Sequence, residues 1–318
     1  MQQMNIPWVE SPFFEELIAE KNLSSEDRKI AIDYNRDGFV VLPGIIPSEI
    51  IEAVIKDMRE KGFNPDHPVS TQRDAVRIQD MWQISEPAKQ LAIFKPVLQK
   101  LEMLYDREAI PFQTLNFLHG SNQRAHSDTI HFSSLPARYM CGVWVALEDI
   151  TEDNGPLFYY PGSHKLMEYN FAHIDTGASA TSYDKYIRYE DFMQKIIAVN
   201  KFEKKTFLAK KGDALIWSSN ILHGGTPVKD AASTRLSQVT HYFFKDCFYY
   251  TPMLSNMVTN ELFIRNYLKN IRTGEIVKQS YNGKEIQQYK TAEQLSVISE
   301  TKPRLKIKNW KLFRPFRK

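Results

Sequence analysis

The chain has 318 residues, 42% of them hydrophobic, and a formal net charge of +3. This length suits one large domain or two small ones, with enough apolar residues for a substantial core. The near-balanced charge speaks against a general nucleic-acid binder, which carries a basic stripe.

Two cysteines, Cys141 and Cys247, are too few for a disulfide framework and point to a reducing compartment. The N-terminal stretch MQQMNIPWVESPFFEELIAE lacks the basic start and apolar run of a signal peptide. No run of 18 apolar residues suggests a membrane span. The expectation is a soluble, cytoplasmic protein. Residues 302–318 carry eight Lys or Arg and no acid. Such a tail reads as a solvated charge run. The sharper alternative is weak contact with an anionic lipid surface or an acidic partner.

In chain order, apolar spacing predicts helix over residues 12–34, and within and beyond it SSEDRKIAIDYNRDG begins with Ser and acids, a helix start signal, and ends in Gly38. GFVVLPGII reads as a short strand ended by Pro43 and Gly44. PSEIIEAVIKDMREKG is an amphipathic helix with Pro47 and Ser48 at its start and Gly62 at its end. Residues 86–107 read as helix again. From about residue 110 short β-branched and aromatic runs alternate with Gly, Pro, Ser and Asn: PFQTLNFLHG, AHSDTIHFSS, YMCGVWVALEDI, GPLFYYPGSH, KTFLAKKGDALIWSSNILHGG and RLSQVTHYFFKD. That rhythm predicts an antiparallel sandwich or jelly roll. The organisation expected is one integrated domain: a helical region 1–109, a β core 110–246 with a Tyr-rich, partly helical insertion at 165–205, and an irregular, partly helical extension 247–318.

His126 and Asp128 stand two apart. On a strand that spacing turns both side chains to one face, where an imidazole and a carboxylate can hold a divalent metal. A third ligand is offered by His223, on another strand end, followed by Gly224 and Gly225, which allow close backbone approach. Two His and one carboxylate form the facial triad of non-haem Fe(II) oxygenases, with positions left open for cosubstrate and dioxygen. Arg235 opens the strand RLSQVTHYFF, where a buried guanidinium would need an anionic partner such as a dicarboxylate cosubstrate. The plainer readings are a polar strand edge for His126 and Asp128, a turn residue for His223, and a surface charge for Arg235.

HSDTIHF, VWVALEDITEDNGPLFYYPGSHK, KKGDALIWSSNILHGG and STRLSQVTHYF occur in an order that resembles the phytanoyl-CoA dioxygenase family of Fe(II)/2-oxoglutarate-dependent oxygenases. These pieces span about residues 113–244, and YNRDGFVVLPGIIPSEII fits the family's N-terminal region. The resemblance implies a double-stranded β-helix (jelly roll, cupin-like), mainly β with flanking helices. It implies that His126, Asp128 and His223 are catalytic iron ligands and that Arg235 holds the distal carboxylate of 2-oxoglutarate. Asn116 corresponds to a position that contacts 2-oxoglutarate, with Thr129 and Ser237 as lesser candidates. The implied cofactors are Fe(II), 2-oxoglutarate as cosubstrate, and dioxygen. The implied reaction is hydroxylation of an unactivated carbon, releasing succinate and carbon dioxide. Halogenating relatives have a small residue in place of the carboxylate; here Asp128 is present. Some members have a Ser two residues after the distal His. Here that residue is Gly225, leaving Thr226 or Ser237 to compensate, or Arg235 to act alone.

His131, Arg138 and Gln123 are the candidate substrate residues. Arg73, Arg77 and Arg138 would meet an anionic group, and Tyr183, Tyr186 and Tyr189 would stack on a sugar or close as a lid. Arg124 is a further entrance candidate. His119, His164 and His241 read as structural histidines, and Trp144 and Trp217 as core. The partner expected is a small molecule: an anionic metabolite, a saccharide or a natural-product intermediate, with an acyl-CoA thioester as the alternative. The competing function is a non-catalytic or other-metal cupin-like binding protein.

Overall fold

The computed structural model describes residues 5–63, 77–174 and 182–286. Helix α1 (Phe14–Glu20) precedes α2 (Ser25–Asp37). Ser24 adopts extended backbone and accepts the Asp27 amide at 3.0 Å, while Gly38 ends α2 at φ 83°. The helix expected over 12–34 is therefore two, because the capping residue cannot itself be helical. Strand β1 (Phe39–Leu42) leads to α3 (Ser48–Asp57), which runs on into a π turn at Met58–Gly62. Strand β2 (Arg77–Gln79) follows. The helix expected over 86–107 is also split, into α4 (Glu86–Ala92) and α5 (Lys95–Tyr105). Pro96 has no N–H to continue the ladder of α4 and suits the first turn of a new helix instead.

The strands that follow are β3 (Ala109–Phe117), β4 (Ser133–Leu135), β5 (Met140–Ala146) and β6 (Leu157–Tyr159). Helix α6 (Ser182–Asn200) fills much of the expected insertion. Then come β7 (Lys205–Phe207), β8 (Ala214–Ser218), β9 (His223–Gly225), β10 (Ser237–Phe244) and β11 (Phe248–Tyr250). A hairpin of β12 (Ser280–Tyr281) and β13 (Lys284–Glu285) closes the described chain.

A six-stranded antiparallel sheet runs in the order β1-β8-β5-β10-β3-β2, and a three-stranded sheet in the order β7-β6-β9. The two sheets form the jelly roll, and β11 pairs with β4 beside them. Every residue of β5, β8 and β10 is buried, as expected of central strands covered on both faces. The outer face of the large sheet meets α4: Gln238 Nε2 donates to the Ala88 carbonyl at 3.0 Å and the Tyr242 hydroxyl to that of Ala92 at 2.8 Å. The inner face is left for the site.

Two expectations change. AHSDTIHFSS is a strand only at its end, since Asp128–Ile130 form a 3-10 turn. The described part of the extension after residue 247 contains no α-helix, only a 3-10 turn at Pro252–Leu254. The basic tail 302–318 and Arg73 lie outside the described residues. Among the described residues no helix is long and apolar enough to cross a membrane.

Candidate active site

His126 and His223 exchange backbone hydrogen bonds of 3.0 Å in both directions. This bridge joins two segments far apart in sequence and sets both imidazoles at one point. Asp128 starts the 3-10 turn, whose carbonyl accepts the amides of His131 at 2.9 Å and Phe132 at 2.8 Å. The His126–Asp128 pair is thus presented by a bridge and a turn, rather than by the strand expected from spacing. One ligand atom from each of His126, Asp128 and His223 lies within 4.8 Å of the others, and all three residues are buried.

The imidazoles are set up to offer lone pairs. His126 Nδ1 lies 2.9 Å from the Arg124 carbonyl and His223 Nδ1 lies 3.1 Å from that of Ile221. A carbonyl accepts only, so each Nδ1 carries the proton and each Nε2 carries the lone pair, the arrangement a metal requires. Burial, with His223 adding to it, pushes the His126 pKa down to about 3. Burial alone would raise the Asp128 carboxyl. The surrounding His223, His241 and His126 imidazoles and the Trp217 N–H hold it below its ordinary value. The indole of Trp217 donates to Asp128 Oδ2 at 2.8 Å, leaving Oδ1, 3.8 Å from His223 Nε2, turned to the common point.

A cavity of about 330 Å³ opens on the triad. Its walls alternate along the strands: Gln113, Leu115 and Phe117 of β3, and Val239 and His241 of β10, face it. Arg235 shares that alternation and lines the cavity although only 3% exposed. Its Nη1 donates to Ser237 Oγ at 3.0 Å, and its guanidinium lies 5.0 Å from the Phe117 ring centre. No carboxylate pairs with it among the described residues. Its buried Nε–H has no partner, and neither has the buried indole N–H of Trp144, which lines the same cavity. Burial pulls the Arg235 pKa down to about 10.

The other expected residues divide. Gln123 and His131 line the cavity; Gln123 Nε2 donates to His126 Nε2 at 3.2 Å, and His131 Nε2 lies 3.3 Å from the Tyr186 hydroxyl. Arg77 and Tyr186 also line it. Asn116 does not. It lies on the opposite face of β3, where its amide donates to Gln238 at 2.9 Å. Thr129 is taken up by Ser127 and Asn220 and is likewise outside the lining. Ser237, not Thr226, supports Arg235; Thr226 donates to the Pro156 carbonyl. Arg138 does not line this cavity. It pairs with Glu10 at 3.0 Å and Glu168 at 2.9 Å and donates to the His164 and Leu166 carbonyls. Tyr189 is fully buried, its hydroxyl 3.3 Å from that of Ser127, so it is no exposed lid.

Trp217, Trp144 and His241, read from sequence as core or structural, belong to the site. His241 could have been found: it is six residues after Arg235, hence on the same face of an extended strand. The two tryptophans had no such marker, because an apolar strand buried on both faces hides which side a Trp takes.

The fold and site together define a jelly-roll protein with a candidate mononuclear metal site and a buried guanidinium in the same cavity. The chain belongs to the phytanoyl-CoA dioxygenase family, whose model matches residues 34–236, more than half of its length. It is 32% identical over 76 residues to phytanoyl-CoA dioxygenase domain-containing protein 1 of Danio rerio; the match takes in 24% of this chain and 23% of that protein. Among solved structures, EctD from S. alaskensis with 2-oxoglutarate and 5-hydroxyectoine is 16% identical, with a TM-score of 0.53, covering 77% of this chain and 83% of that one. Two enzymes of nogalamycin biosynthesis have the same TM-score of 0.53. The epimerase SnoN is 18% identical over 71% of this chain and 85% of its own, and the carbocyclase SnoK 15% over 81% and 95%. At such identities the likeness shows the fold. Family membership and the His126–Asp128–His223 set together support an oxygenase that uses iron and 2-oxoglutarate.

Proposed function

We propose that the protein hydroxylates an unactivated carbon of a small molecule, with His126, Asp128 and His223 holding Fe(II) and Arg235 holding 2-oxoglutarate. The observation that carries this reading is the pairing of the triad with two unpartnered buried donors, Arg235 Nε–H and Trp144 Nε1–H, in one cavity. A buried guanidinium without a counter-charge is costly, and a carboxylate placed against it removes that cost. The donor set fits the group: two neutral imidazoles and one carboxylate suit ferrous iron and leave coordination positions open.

When bound, iron and 2-oxoglutarate supply the oxidising chemistry, consuming dioxygen and releasing succinate and carbon dioxide. The chain's own residues do the rest. Trp217 keeps Asp128 Oδ2 occupied, so that Oδ1 faces the metal position. Arg124 and Ile221 hold the imidazole tautomers through their carbonyls. Leu115, Phe117, Phe132, Leu157 and Val239 keep the walls apolar and exclude water. The cavity sits at the low end of the usual range for ligand sites, roughly 300–1,000 Å³. That supports a small metabolite, a saccharide or a natural-product intermediate over a whole acyl-CoA thioester, of which only the acyl arm would enter.

The test is anaerobic addition of Fe(II) and 2-oxoglutarate to metal-free protein, with Asp128→Ala and Arg235→Ala as controls. The expected result is a visible charge-transfer band that weakens in both variants. No band with intact metal binding would bring forward an other-metal or non-catalytic cupin-like protein. Hydroxylation is then read from ¹⁸O₂: label in the product supports it, and an unlabelled, rearranged product overturns it.

A further inference from the structure

Arg265 is a second guanidinium near the cavity, half-buried where Arg235 is buried. It lies beyond the segment matched by the family model. Its guanidinium sits 4.8 Å from the ring centre of Phe132, a cavity wall, and 5.5 Å from that of Phe112. Nη1 donates to Thr251 Oγ1 at 2.8 Å, and no carboxylate lies within ion-pair distance among the described residues. Burial draws its pKa down to about 10 against the opposing charge of Asp80, whose carboxylate also accepts from the Trp82 indole and the Thr114 amide. Arg77 adds a second cation. It stands on β2 opposite Phe117, on the cavity wall, with no ion pair among the described residues. Burial lowers the His131 pKa to about 4, and both cations add to that shift.

The charges of the site can be set against one another, resting on the reading above. A ferrous ion, the Asp128 carboxylate, dianionic 2-oxoglutarate and Arg235 together cancel. Among the described residues of the lining, Asp128 is the one carboxylate. The cosubstrate therefore leaves Arg77 without a counter-charge on the side of the cavity formed by β2, Phe132 and His131, and Arg265, behind Phe132, with the opposing charge of Asp80 but no ion pair among the described residues.

We propose that the substrate is a small organic anion whose carboxylate or phosphate is drawn to Arg77 and Arg265. Arg77 makes the direct contact on the wall, and Arg265 supplies a second, shielded charge behind Phe132. Gln79, Gln113 and His131 then face the neutral part of the molecule as hydrogen-bonding groups. Guanidinium recognises either oxyanion by paired, charge-assisted hydrogen bonds.

The experiment uses protein loaded anaerobically with Fe(II) and saturating 2-oxoglutarate. Three probes of one scaffold, phenylacetate, phenyl phosphate and phenylacetamide, are titrated calorimetrically into wild type, Arg77→Gln, Arg265→Gln, Arg265→Lys and the double Gln variant. At least one anion should bind about tenfold or more tightly than the amide, as a charged hydrogen bond implies. That preference should shrink in each Gln variant, vanish in the double variant, survive in Arg265→Lys, and weaken with salt. Tighter phenylacetate assigns a carboxylate substrate, and tighter phenyl phosphate a phosphorylated one. Equal binding of acid and amide, a preference that survives in the double variant, or no binding of any probe would overturn the proposal. The charge-transfer band separates the two readings. If it is absent while the anion preference holds, the cosubstrate assignment fails and the anion subsite stands.

Discussion

Trp217 Nε1 donates to Asp128 Oδ2 at 2.8 Å, joining two buried side chains 89 residues apart in sequence. The bond leaves one carboxylate oxygen for a metal and fixes the rotation of the carboxyl group. Outer partners of this kind commonly change metal affinity about 10–100-fold when removed. Trp217→Phe should therefore weaken Fe(II) affinity by that order in calorimetry, with the fold retained by circular dichroism. Unchanged affinity would mean that Asp128 is oriented by the turn alone.

The indole rests on Gly142. A Cβ built there overlaps the Trp217 ring, at a register position where Gly142 faces Trp217 directly across β5 and β8. Gly142→Ala should lower stability by about 1–3 kcal/mol through overpacking. It should also weaken metal binding, by pushing the indole off Asp128. Chemical denaturation and metal titration of the same preparation check both effects; a stability loss with full metal affinity would separate the packing role from the positioning role.

Arg138 was a substrate candidate, and its position makes it a structural cation. It neutralises Glu10, a carboxylate only 3% exposed, and Glu168. Breaking a buried pair by removing one partner costs about 3–5 kcal/mol. The Arg138 end is partly solvated, so the lower end of that range is expected for Arg138→Ala. Thermal melting should show the loss. The iron and 2-oxoglutarate band, measured below the melting range, should persist; its disappearance in a folded variant would return Arg138 to the site.

Stability of the metal-free protein should fall on mild acidification. Burial, aided by neighbouring positive groups, pushes the His131 and His241 pKa values down to about 4. In an unfolded chain they titrate near 6.5. Between these values the unfolded chain binds protons that the folded protein does not. Stability is thus full above about pH 6.5 and declines toward pH 4, by up to about 1.4 kcal/mol per pH unit for each group. Urea midpoints measured from pH 7.5 to 4.5 should show the decline, and His131→Gln should make it shallower. A flat profile over that range would show that the two imidazoles protonate in the folded state.

Much of the site was legible before any coordinates. His126, Asp128, His223 and Arg235 announce themselves because metal ligation and carboxylate capture depend on residue type, and few other arrangements of those types make sense in a strand-rich chain. The family order of motifs and the caps at Ser24 and Gly38 are equally local. Other features depend on pairing across distance. The register of β3 with β10 shifts at His241/Tyr242. Beyond it, Gln113, Leu115 and Phe117 face the cavity and Asn116 faces α4. A one-residue slip would reverse that choice without altering the periodicity of the strand. The partners of Arg138 lie 128 residues before it and 30 after it. Trp217 reads as one more apolar residue until Asp128 is folded against it. Local chemistry names the groups that can react; long-range backbone pairing selects which faces meet, and that selection converts a run of histidines, tryptophans and arginines into a site.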